Sequence, residues 1–122
     1  MERTITLKIY EIVGSEFCVA ADDGQKVYEQ ITMALRKDLK VRISFFNVKR
    51  LTSAFLNVAI GQLYGEFNGE ILSTHLSVVD IEPDDFILLS RVIETAKVYF
   101  KDPVRFNKIR SNILGEKEDA GE

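Results

Sequence analysis

The sequence has no tryptophan, one cysteine (Cys18), one histidine (His75) and two prolines in 122 residues. A lone cysteine closes no internal disulfide, so the fold rests on its apolar core. With a single Cys and a single His, the chain also lacks the spaced three or four soft ligands of a structural zinc site. Cys18 stands among Phe17, Val19 and Ala20 and reads as a small core residue, while His75, among Ser73, Thr74 and Ser77, reads as a hydrogen-bonded loop residue. No run of about 20 apolar residues exists to span a bilayer, and no basic-led apolar leader opens the chain, so a cytoplasmic, non-membrane protein is expected. Basic blocks are missing too. A formal net charge of -3 argues against non-specific nucleic-acid binding, which runs on Lys and Arg neutralising phosphates. There is no Gly-rich loop followed by Lys and a hydroxyl residue, hence no phosphate loop, and Asp84 and Asp85 follow Pro83 in what reads as the first turn of a helix. No enzyme and no cofactor are expected.

What is present is ordinary for one globular domain: 46% hydrophobic and 29% charged residues. Residues 1–114 are expected to form the domain and 115–122 a disordered acidic tail. Ile5, Leu7 and Ile9 alternate with Thr4, Thr6, Lys8 and Tyr10 as a first strand, Gly14 and Ser15 mark a turn, and Glu16 to Ala20 reads as its hairpin partner. A helix capped by Asp22 or Asp23 follows to about Lys37, with Val27, Ile31, Ala34 and Leu35 on one stripe. Ile71 to Ile81 should hold a strand, clearest over Leu76 to Ile81, and Pro83 opens a helix with the stripe Phe86, Leu89, Ile93, Ala96 and Phe100. Pro103 ends or kinks that helix, and Val104, Ile109 and Ile113 suggest a last short one. Strands alternating with helices imply right-handed parallel crossovers, so the expectation is an α/β fold with a mixed four- to five-stranded sheet.

The most informative stretch is Val41 to Phe67. Val41, Ile43 and Phe45 alternate with Arg42, Ser44 and Phe46 as a strand, Asn47 to Thr52 is a turn, and Thr52 or Ser53 caps a helix. Between Arg50 and Glu66 no residue is charged. Leu56, Ile60, Leu63 and Phe67, with Ala59 beside them, form the core face of that helix. Ala54, Asn57, Val58, Gly61 and Gly65 form a small, smooth second face. A neighbouring helix of the same domain, a partner protein or a second copy would cover it.

This segment resembles the signature of STAS domains, the fold of bacterial anti-sigma factor antagonists, through Thr52, Ser53, Ala54, Phe55 and Leu56 with Val58, Ile60 and Gly61. The fit is closest to STAS-like domains of unassigned function. Thr52 stands where the antagonists carry Asp, Ser44 where they carry an acidic or amide residue, and Phe55 where they carry Gly. The resemblance implies a STAS-like sheet covered by helices and a regulatory protein-binding role. It further implies phosphorylation at Ser53, with Thr52 the weaker candidate, and a histidine-kinase-like ATPase or another regulator as partner. Capping alone also explains Ser53. The other readings are a constitutive structural or oligomerisation module, such as a homodimer, and a small-ligand sensor with its pocket at the strand ends near Asn47 and Ser53.

Overall fold

The structure, a computed structural model, describes residues 3–101. Strands β1 (Thr4–Lys8), β3 (Lys40–Ser44) and β5 (Leu76–Val79) form a parallel sheet in the order β1-β3-β5. The register sets Ile5, Val41 and Leu76 side by side, and Leu7, Ile43 and Val78 in the next row. These two apolar rows face the core, so one face of the sheet is buried and the alternating residues Thr4, Thr6, Lys8, Arg42 and Ser77 are exposed.

The amino-terminal hairpin does not form. Ile9–Val13 is instead a short helix, α1, closed by Gly14 in the left-handed conformation at φ 80° with its amide on the Tyr10 carbonyl. That turn carries the chain away from β1, and Ile9 is buried as a helical residue. The segment read as a hairpin partner supplies only β2 (Phe17–Cys18), which pairs in parallel with β4 (Arg50–Leu51), a two-residue strand inside the segment read as a turn. Among the described residues the strands are therefore three plus two, all in parallel pairs, rather than a mixed sheet of four or five.

Helix α2 (Ala21–Arg36) starts after Ala20, with Asp22 and Asp23 in its first turn rather than at the cap, and buries Val27, Ile31, Ala34 and Leu35 as its stripe requires. The segment after β4 is helical from Ser53 to Glu66: α3 (Ser53–Leu56), a wider π turn (Asn57–Gly61) and α4 (Leu63–Glu66). Its core face is as the spacing predicts, with Leu56, Ala59, Ile60 and Leu63 buried; Phe67 lies just past the end and is half-buried. In the π turn the Gln62 amide reaches back to the Asn57 carbonyl, and the Gln62 side-chain amide donates to the Val58 carbonyl at 3.0 Å.

Asn68, whose side chain accepts from the Ile71 amide at 2.8 Å, starts a further helix α5 (Gly69–His75), so the strand begins at Leu76. Helix α6 (Pro83–Lys101) buries Leu89, Val92 and Ala96, while Phe86 and Phe100 from the expected stripe stay exposed. The last short helix, the acidic tail and the domain boundary at residue 114 lie outside the described residues. No described helix is long and apolar enough to cross a membrane.

Leu56 and Ile60 sit at 0% and 1% exposure, at the junction of α2, α6 and the sheet. Leu56→Ala and Ile60→Ala should each cost about 2–5 kcal/mol, the range for emptying a closed apolar site. Urea melts matching the parent chain would show the core face to be misassigned.

Candidate functional site

The Val41–Phe67 segment turns from β3 into the central helix through a loop that is stitched to β2. The amides of Lys49 and Arg50 donate to the Glu16 carbonyl, and the Thr52 amide donates to the Cys18 carbonyl. Cys18 is fully buried beneath this loop, and burial, with Asp23 nearby, pushes its thiol up to about 11. It is protonated and inert at neutral pH, as a core residue should be.

Thr52 is the cap. Its hydroxyl accepts from the Phe55 amide at 3.2 Å and donates to the Val19 carbonyl at 2.8 Å, so one side chain starts the helix and ties it to the residue that follows β2. Ser53 is the first helical residue, exposed, and its hydroxyl has no hydrogen-bond partner among the described residues. The sequence left the cap open between these two neighbours. The structure gives them separate work, one holding the helix and the other facing solvent.

The small-residue face is divided as well. Gly61 is buried opposite Val92 and Ala96 of α6, and a methyl group at Gly65 would strike the Phe100 ring. Val58 is half-buried beside Gly24 of α2. Ala54, Asn57 and Gly65 remain exposed, so of the residues expected on a partner face it is Gly61 that a neighbouring helix of the same domain covers.

Two exposed aromatics flank the loop: Phe17 on β2, in register with Arg50, and Phe46 just beyond β3, at 51% and 62% exposure. Beside Phe46 lies an open cleft of about 510 Å³ at the carboxyl ends of β3 and β5, walled by Asn47, Lys49, Asp80, Glu82 and Asp85. The Ser44 hydroxyl donates to Asp80 Oδ2 at 2.8 Å and accepts from the Phe46 amide at 3.2 Å, which fixes both strand exits. Asn47 and Asp80 hold left-handed backbones at φ 65° and 59°, conformations that Asn and Asp adopt more readily than most residues. Burial, then Glu82 and Asp84, raises the Asp85 carboxyl above the ordinary carboxylate range. Asn47 thus borders a cleft as the sensor reading expects; Ser53 is not among its walls.

His75 is set apart from this region. Its Nε2 lies 3.2 Å from Asp38 Oδ1 and its Nδ1 2.8 Å from the Thr74 hydroxyl. Sequence reasoning missed Phe17 and Phe46 as surface features, because an aromatic in a strand pattern reads as core unless its partner strand is known.

Thr52→Ala removes a cap and a bond between elements. It should cost about 1–2 kcal/mol, whereas Ser53→Ala should leave stability within about 0.5 kcal/mol of the parent. Chemical denaturation of the two variants checks the assignment, and the reverse order would mean that Ser53 carries the cap.

A family model described as STAS-like domain of unknown function (DUF4325) matches residues 23–86, just over half of the chain. The matched span runs from the first turn of α2 to the first turn of α6 and so includes β3, the Thr52–Ser53 junction, the central helix and β5. No curated protein and no solved structure matches. The chain belongs to the family of STAS-like domains of unknown function.

Proposed function

We propose that this chain is a non-enzymatic regulatory module of the cytoplasm. It binds a partner protein at the end of the molecule formed by Phe17, Phe46, Ser53, Ala54 and Asn57, and phosphorylation of Ser53 switches that binding. The observation that carries the proposal is the free, exposed hydroxyl of Ser53 at the first position of a helix whose cap is already supplied by Thr52. A modifying enzyme can reach this oxygen without breaking the fold. A phosphate there would lie at the amide end of the helix, where negative charge is tolerated, while adding nearly two charges beside the uncharged Ala54 and Asn57. By the family resemblance, the partner is a histidine-kinase-like ATPase or another regulatory protein.

The structural alternative draws less support. A second copy seated on the small-residue face would meet Ala54, Asn57, Gly65 and part of Val58, since α6 already covers Gly61. The sensor reading has one observation in its favour, the cleft beside Asn47. A ligand held there by the folded state alone would raise the melting temperature in a metabolite screen.

Ser53→Asp should keep its thermal stability, because Asp suits the first turn of a helix, and should lose affinity for the partner captured from the native host. Ser53→Ala should keep both. The switch fails if Ser53→Asp binds that partner as tightly as the parent chain and mass spectrometry finds no phosphate on Ser53 in cells.

A further inference from the structure

The stripe that helical spacing predicts for α6, Phe86, Leu89, Ile93, Ala96 and Phe100, is only partly used by the described fold. Leu89 and Ala96 are buried, Ile93 is half-buried, and Phe86 and Phe100 stand at 49% and 41% exposure. Beside the first half of this line runs a groove of about 180 Å³, walled by Tyr64 of α4, Leu72 of α5, Leu76 and Val78 of β5, and Phe86 and Ile93 of α6. No charged side chain lines it. Among the described strands β5 has a neighbour on one side only, so the groove follows the edge of the sheet. An apolar groove along a sheet edge marks a place where another segment packs.

We propose that the occupant of this groove is the chain's own continuation, residues 104–114, laid back antiparallel along α6. The described residues end at Lys101, directly after Phe100, and residues 102–122 follow in the sequence. Within them Phe106, Ile109 and Ile113 recur at the i, i+3, i+7 spacing of one helix face. Arg105 and Arg110 flank that line and Lys108 falls opposite it, so the pattern is apolar on one side alone. Asp102 and Pro103 read as the cap and first residue of a new helix, which a proline cannot join to the one before. The reach agrees. At 1.5 Å per residue, Ile93 and Ser90 lie about 12 and about 16 Å back from Lys101, and a helix over residues 104–114 is about 16 Å long. After a reversal at Asp102 and Pro103 the segment starts beside Phe100 and brings Ile113 to the level of Ser90, which also lines the groove. A tethered segment acts at millimolar effective concentration, which favours it over a free partner or a second copy on the same groove. The groove shares no residue with the Ser53 surface, and its test is independent of the switch.

The chain has no tryptophan, so Phe106→Trp in the full chain places a single emitter on the segment. A synthetic peptide of residues 102–115 with the same substitution is the comparison probe. In the full chain the indole should emit at shorter wavelength than in the peptide and resist acrylamide quenching several-fold better. Its spectrum should not change over a wide dilution series, as contact within one chain requires. Ser90→Glu in the groove and Ile113→Asp on the segment should each return emission and quenching to those of the peptide, because either puts an unpaired charge into an apolar contact. Circular dichroism and melting check the fold; should Ser90→Glu fail to fold, Ile93→Asn takes its place. An indole as open in the full chain as in the peptide, protection that survives in either variant, or protection that disappears on dilution, the mark of a second copy, would overturn the proposal.

Discussion

The contact on which the structure depends is the close approach of two helices at Gly24. A side-chain carbon there would fall 2.5 Å from the Phe55 carbonyl oxygen and 3.1 Å from Val58 Cβ, so only hydrogen fits against the first turns of the central helix. With α2 this near, Phe55, Leu56 and Ala59 reach 0% exposure together with Val27 and Ile31. The packing holds an otherwise unlikely helix, interrupted by a π turn and free of charged residues over its first thirteen positions, in a defined place. Thr52 completes the seat by bonding forward to Phe55 and sideways to Val19. What the seat leaves in water is Ser53.

Around that arrangement Ser53, Ala54 and Asn57 carry no charge, the cleft at the strand exits gathers Asp80, Glu82 and Asp85 with Lys49, and the sheet face away from the core carries Arg42 and Lys8. In the interior, Cys18 is buried with its thiol raised to about 11, and Ser44 spends its hydroxyl on fixing Asp80 and the Phe46 amide.

Much of this is legible in the sequence, and what is not has physical causes. The core face of the central helix and the stripe of α2 follow from spacing, since burial of an amphipathic helix and its periodicity are one fact. The family was legible as a resemblance of Thr52, Ser53, Ala54, Phe55 and Leu56, with Val58, Ile60 and Gly61, to the signature of STAS domains. Short elements were not: α1 spans five residues, too few to show a helical period, although Gly14 was available as a left-handed end signal. Asn68 was likewise an overlooked cap for α5. The parallel pairing of β2 with β4 joins segments some 33 residues apart in sequence and depends on tertiary placement that local pattern does not encode. For the same reason Gly61 looked like a free surface until α6 was laid over it, and the Phe100 ring beside exposed Gly65 was not foreseen. The division between Thr52 and Ser53 needed geometry, because two adjacent hydroxyl residues are equally good caps on paper.

The seat at Gly24 is tested most directly by comparing Gly24→Ala with Gly61→Ala in thermal melts and in hydrogen exchange of the amides from Phe55 to Gly61. At Gly61 a methyl would make only ordinary contacts of 3.7–3.9 Å with Val92, Ala96 and Asn57, so alanine should be neutral or slightly stabilising there. At Gly24 it must push a backbone carbonyl aside. The account predicts a melting temperature several degrees lower for Gly24→Ala, with faster exchange across the central helix, and no such loss for Gly61→Ala. Equal melting and exchange in the two variants would contradict it.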